Sequence, residues 1–258
     1  MKIVVLVKEV PDTYGDRTLN LETGLAERDS SERVLDEIGE RALEVALSYA
    51  DAHAGTEVVV VSMAPEAAQA SVRKGLAMGA ASAVQVVDEA LAGADLGVTA
   101  KVLAAAVQRV GFDLVITGNL STDGSGGVLP AMIAEHLGVP QATALSAVTI
   151  ADDTVSGTRA SDAGTAQVSA ALPAVISITE ALPDARFPNF KGIMAAKKKP
   201  LEVVSLAELG VDIDPAAAPQ TILTAVAAKP PRGAGVKITD EGDAGEKLAA
   251  YLIENRLA

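Results

Sequence analysis

The chain has 258 residues, enough to bury a sizeable core, and a formal net charge of −13 from 21 Lys and Arg against 34 Asp and Glu. Nucleic acid demands a basic footprint and stacking platforms, and an acidic chain with three Phe, three Tyr and no Trp supplies neither. The absence of cysteine excludes disulfides, thiolate nucleophiles, cysteine-ligated iron–sulfur clusters and a flavin linked through sulfur, while two distant histidines, His53 and His136, argue against a metal site or a serine triad. Few aromatics also leave little surface for a flavin ring, so a partner is expected to supply much of any flavin pocket.

In chain order, residues 3–7 read as a strand buried on both faces, as in a parallel sheet. This run is too short to span a membrane and lacks a cleavage site, so a cytoplasmic chain is expected. Pro11 stops the strand. The polar connection to about residue 33 is long for a structural crossover, and it either covers a ligand or pairs as a small hairpin. Asp36 opens a helix with Ile38, Ala42, Val45, Ala46 and Tyr49 at helical spacing, ended by Gly55. Then follow a strand at 57–62, a helix at 66–78 closed by Gly79, a strand at 83–87, an alanine-rich helix at 98–110 and a strand at 114–117. Such alternation predicts an α/β fold, a doubly wound, mostly parallel, Rossmann-like sheet of the adenine-nucleotide-binding type. Ligands in such sheets sit at the carboxyl ends of the strands.

Residues 118–127, G-N-L-S-T-D-G-S-G-G, lie between the 114–117 strand and a helix running to about 137. Backbone amides and small hydroxyls leading into a helix start can surround a phosphate. An ordinary strand-to-helix turn fits the same spacing. No lysine follows the glycines and the G-x-G-x-x-G spacing is absent, so neither familiar phosphate motif applies.

From Thr143 the period changes, and 147–150, 154–160 and 165–172 read as an antiparallel meander before a core strand at 174–179. Residues 183–200 combine three prolines and a tri-lysine run with Phe187, Phe190, Ile193 and Met194. This segment reads as an exposed loop carrying apolar anchors for a partner, or as a linker with solvated lysines. Beyond it lie a strand at 201–205, a helical turn at 206–209, an irregular link at 215–219, a strand at 222–226 and an amphipathic helix at 242–257. The resulting domain reading is a nucleotide-binding domain at 1–182, a partner-recognition loop at 183–200 and a C-terminal arm at 201–258 that wraps another subunit.

Five stretches carry a family resemblance over nearly the whole chain: K-I-V-V-L-V-K-E-V-P-D-T from Lys2, V-L-D-E-I-G-E-R-A-L-E from Val34, R-K-G-L-A-M-G-A from Arg73, G-N-L-S-T-D-G from Gly118 and R-F-P-N-F-K-G-I-M-A-A-K-K-K from Arg186. They resemble the beta subunit of bacterial electron transfer flavoprotein. The resemblance implies a heterodimer whose alpha subunit holds the redox-active FAD and packs against the C-terminal arm, while the beta subunit binds AMP structurally. It implies electron shuttling from acyl-CoA dehydrogenases and related flavoprotein dehydrogenases to a quinone reductase or another acceptor. The AMP contacts it implies are Leu6, Asp36, Met63, Gly118, Asn119, Ser121, Thr122, Asp123, Gly124, Ser125, Gly126, Gly127 and Val128. Pro11, Asp12, Thr13 and Tyr14 would face the flavin held by alpha. Phe190 would be the apolar docking anchor, with Ile193 and Met194 beside it and Lys197, Lys198 and Lys199 speeding encounter with acidic donors. Where the family's phosphate loop often reads D-G-D-T-G-Q-V-G-P, residues 123–130 read D-G-S-G-G-V-L-P. Some relatives bifurcate electrons and hold a second FAD in place of AMP, and a stand-alone adenine-nucleotide sensor is the alternative from another class.

Overall fold

The computed structural model describes residues 1–15, 17–213 and 221–257, so the link expected at 215–219 lies outside the described residues. The chain divides into two compact units, Met1–Thr224 and Ala225–Ala258.

The first unit is built on a sheet in the spatial order β11-β5-β4-β1-β6-β10-β7-β8-β9. In chain order its strands are β1 (Lys2–Leu6), β4 (Glu57–Met63), β5 (Ser82–Val86), β6 (Leu114–Gly118), β7 (Gln141–Ile150), β8 (Thr154–Ser161), β9 (Gly164–Ala171), β10 (Ala174–Ile178) and β11 (Leu201–Val204). Two further strands, β2 (Glu9–Pro11) and β3 (Arg33–Leu35), form a separate antiparallel pair. The helices are α1 (Glu37–Ala52), α2 (Gln69–Met78), α3 (Leu96–Val110), α4 (Leu129–Leu137) and α5 (Phe190–Ala196), with α6 (Ala244–Glu254) in the second unit. Pairing is parallel from β11 through β7 and antiparallel across β7, β8 and β9. Among the described residues no helix is long and apolar enough to cross a membrane.

The strands are aliphatic at successive positions because both faces are covered. Ile3 and Val5 point into a core shared with Leu43, Leu47 and Leu76 of α1 and α2, and Val4 and Leu6 into one shared with Leu103, Val107 and Ile133 of α3 and α4. The fold expected from the alternating pattern is the one observed. Small residues set the close approaches. A Cβ on Gly118 would fall 2.6 Å from Ile38 Cγ2, so the last residue of β6 has to be glycine for the first turn of α1 to lie over it.

Three expectations change and one open alternative is resolved. The meander strand expected from 147 starts at Gln141, because β7 pairs in parallel with β10 on one side before pairing with β8 on the other. The long connection after Pro11 returns as β3 on β2, with a local bridge between Leu19 and Ala26, and this is the hairpin reading. The domain boundary expected at 201 does not hold, since β11 is the edge strand of the main sheet. No strand forms over 222–226, where Ile222 and Leu223 are exposed, because an apolar run without a pairing edge has no ladder to join. In the second unit, α6 is amphipathic and leaves Leu248 and Ile253 exposed.

Candidate functional site

The sheet is wound in opposite directions from β1: β4 and β5 lie on one side, β6 and β10 on the other. The carboxyl ends of β1, β4 and β6 therefore frame the crevice where α/β sheets take ligands. Leu6, Met63 and Gly118 stand at these three ends, and Leu6 and Met63 belong to the core face packed by α3 and α4. From the opposite face Asp36 closes on the same edge as N-cap of α1.

The 118–128 loop is tied down on its inner side. Thr122 N donates to Asp36 Oδ2 at 2.9 Å, and Ser125 N donates to Ser121 O at 2.9 Å. Gly124 N donates to Asp123 Oδ1 at 2.7 Å and to Ser121 Oγ at 3.3 Å. On its outer side Gly124, Ser125, Gly126, Gly127 and Val128 are exposed, and among the described residues the amides of Gly126 and Gly127 donate to no group of the chain. Gly127 takes φ +68°, a conformation a β-branched residue resists, and opens directly onto the start of α4.

Asp36 is 2% exposed. Burial raises its carboxyl above the usual range, outweighing the hydrogen bonds from Thr122 and Ile38. Through Oδ2 it holds the 118–128 loop, at Thr122 N, onto the start of α1.

Asp123 behaves in the opposite way. Its side chain is 7% exposed and bridges Lys8 Nζ at 2.7 Å and Arg28 at 3.0 Å. Burial alone would raise its pKa, but the hydrogen bond and charge of Lys8, with Ser121 and Arg28, hold it at about 2. Arg17 adds a hydrogen bond to Thr122 O. Lys8, Arg17 and Arg28 are site residues that reading the chain missed. Lys8 sits inside the opening motif, but nothing local to Arg17 or Arg28 marks a partner about a hundred residues away.

The sign of the resulting pH effect is definite. A carboxyl held at about 2 in the fold and titrating near 3.8 when unfolded stabilises the fold above 3.8, and this contribution disappears as pH falls through 2. Asp36, whose pKa is raised, works in the other direction and costs less stability as it protonates. We expect Asp123→Asn to lower the denaturant midpoint at neutral pH, with the difference from wild type shrinking between pH 4 and pH 2. A difference constant with pH would show that the carboxylate charge is not what holds the loop.

Pro11 is buried at the end of β2, whereas Tyr14 is 99% exposed. Asp12 makes the turn that projects Tyr14, accepting from Tyr14 N at 2.9 Å through Oδ1 and from Gly15 N at 3.2 Å through its carbonyl. Thr13 is exposed beside it.

Within the 183–200 segment, expected as a loop, residues 183–189 are irregular and 190–196 form α5. Asn189 caps α5 by accepting from Gly192 N at 2.8 Å, which starts a short helix directly after Pro188. Arg186 donates to Glu44 from its backbone N, Nε and Nη2 at 2.8 to 3.0 Å and pairs with Asp51, which fastens the segment to α1. Arg41 adds bonds to Leu182 O and Asp184. At the far end Arg73 donates to Ala196 O at 3.0 Å. Phe190 remains 80% exposed and Phe187 95%, with Ile193 and Met194 half-exposed. Lys197 and Lys198 are exposed, but Lys199 is not part of their set. Its Nζ donates to Leu76 O at 2.9 Å and Ala80 O at 2.6 Å, closing the end of α2, and burial lowers its pKa. α2 runs antiparallel to the strands, so the seat of α5 at Ala77 lies toward their amino ends and away from the 118–128 loop.

A model described as the electron transfer flavoprotein domain matches residues 23–209. The chain is 44% identical to the "Electron transfer flavoprotein subunit beta" of Mycobacterium leprae (strain TN), over 99% of this chain and 98% of that one. It is 46% identical, with the same coverage, to the protein of that name from Mycobacterium tuberculosis (strain ATCC 25618 / H37Rv). It is 31% identical to the "Caffeyl-CoA reductase-Etf complex subunit CarD" of Acetobacterium woodii, over 98% of this chain and 97% of that one. With a doubly wound sheet, a glycine-rich loop at its switch point and matches of this length, the chain belongs to the electron transfer flavoprotein family, among its beta subunits.

Proposed function

We propose that the chain works as the beta subunit of a heterodimeric, cytoplasmic electron carrier. In this reading it binds AMP structurally at the 118–128 loop, while an alpha subunit holds FAD. Electrons come from acyl-CoA dehydrogenases and related flavoprotein dehydrogenases and leave to a quinone reductase or another acceptor. The observation that carries the reading is the loop itself: among the described residues the amides of Gly126 and Gly127 donate to no group of the chain, at the start of α4, in a loop held by Asp36 through Thr122 N. Amides at a helix start suit a phosphate. Backbone amides fit the phosphate of a nucleotide monophosphate without requiring the acidic residue and glutamine that the family's loop often has.

Bound flavin supplies the electron chemistry. The residues of this chain seat the nucleotide, present Tyr14 and the apolar Leu120 and Val128 at the crevice rim, and expose Phe190 for docking elsewhere. Exposed apolar side chains around a ligand loop suit coverage by another subunit. The C-terminal unit, with Leu248 and Ile253 exposed on α6, is assigned to packing on alpha.

Expressed alone, the chain should be colourless, and co-expression with an alpha subunit should yield a yellow complex containing AMP. In that complex Gly127→Val should lower AMP content. Stoichiometric FAD on the isolated chain would instead favour a second FAD in place of AMP, and a stable nucleotide-binding monomer indifferent to alpha would favour the sensor.

A further inference from the structure

Beside α5 the surface holds a groove of about 390 Å³. Ala70 and Ala77 of α2 form one wall, Pro188 and Ile193 the other. The groove exists because the two helices approach through small residues: a Cβ on Gly192 would lie 2.4 Å from Ala77 O. Its size is at the low end for pockets that enclose small molecules, roughly 300 to 1,000 Å³, and its uncharged lining, Ala70, Ala77, Pro188, Ile193 and Ala196, is aliphatic. An inserted side chain suits it better than a cofactor.

The rim is the second observation. Arg73, Lys74 and Lys197 border the groove, and no carboxylate lines it. Lys74 is neutralised by Glu40, and Arg73 spends one N–H on Ala196 O. Lys197 is exposed and makes no ion pair among the described residues. On a chain of net charge −13 this is a local reversal of sign, and it selects an acidic partner. The third observation is continuity. Ile193, in the groove wall, is one helical turn from Phe190, so a partner covering Phe190 also covers the groove.

We propose that the groove between α2 and α5 is the receiving half of the docking surface, taking an aliphatic side chain borne beside carboxylates on the same flavoprotein dehydrogenase that covers Phe190. The proposal rests on the reading of α5 as the docking helix. Recognition is then reciprocal, with Phe190 entering the dehydrogenase and a dehydrogenase side chain entering the carrier.

The test uses the intact heterodimer and an acyl-CoA dehydrogenase. Ala70 is exposed on the first turn of α2, so Ala70→Trp fills the groove without touching the core or Phe190. Affinity for the dehydrogenase should fall about tenfold. Flavin content and reduction by a small chemical donor should not change. Lys197→Glu should slow association and reduce its dependence on salt. If Ala70→Trp leaves affinity intact while Phe190→Ala weakens it, the groove proposal falls and the docking reading stands. If neither substitution matters, the docking reading itself fails. A change in sedimentation of the heterodimer with unchanged dehydrogenase affinity would overturn the proposal in favour of a second copy as occupant. If Ala70→Trp weakens binding but Lys197→Glu does not alter it, the acidic character assigned to the partner is wrong.

Discussion

Phe190→Ala is expected to weaken binding of the heterodimer to a flavoprotein dehydrogenase by about 30-fold, because truncating an interface hot spot costs about 2 kcal/mol or more. The side chain is 80% exposed on a helix held at both ends, so its apolar surface is presented without the backbone having to be ordered on binding. A carrier that serves several donors benefits from concentrating binding energy in such a small contact. Surface plasmon resonance or the concentration dependence of electron transfer would measure the loss. Flavin and nucleotide contents should stay normal, since α5 packs on α2 toward the strands' amino ends and the 118–128 loop lies at their carboxyl ends. Unchanged affinity would remove Phe190 from the interface.

Gly192→Val tests the seat rather than the anchor. Any Cβ at this position would stand 2.4 Å from the carbonyl oxygen of Ala77, and a backbone atom within α2 cannot move aside as a flexible side chain would. The helix must lift. Overpacking of this kind costs about 1 to 3 kcal/mol. We expect a lower melting temperature, faster proteolysis after Lys191 and Lys197, and dehydrogenase affinity reduced at least as far as in Phe190→Ala although Phe190 is retained. Wild-type proteolysis and affinity would show that α5 does not depend on its contact with α2.

Much of the main sheet was legible because buried parallel strands are written as local aliphatic runs, as at 3–7 and 114–117, and because helix starts such as Asp36 and stops such as Gly79 are local features. Gly118 was legible as part of a loop motif, but its reason, the close passage of Ile38, was not. What escaped reading depends on partners far along the chain. Strands were expected at both 201–205 and 222–226, and only the first forms, because β5, more than a hundred residues earlier, offers it an edge and 222–226 finds none. The helix at Phe190–Ala196 was hidden by the prolines and lysines around it, and its cap at Asn189 was the available local signal. Lys199 looks like its two neighbours in sequence, yet it alone finds the open carbonyls at the end of α2. The Lys8–Asp123–Arg28 cluster joins three charges that no periodicity connects.

The pairing of β11 with β5 also decides how docking can be removed by engineering. Because the segment that carries α5 continues straight into this four-residue rim strand, excising residues 183–204 would leave Ser82–Val86 with one side of its backbone N–H and C=O groups bare. A newly bared sheet edge recruits strands from other molecules. Such a deletion would therefore produce self-association, and its loss of activity would report insolubility rather than recognition. Point changes at the exposed face of α5 leave the rim closed.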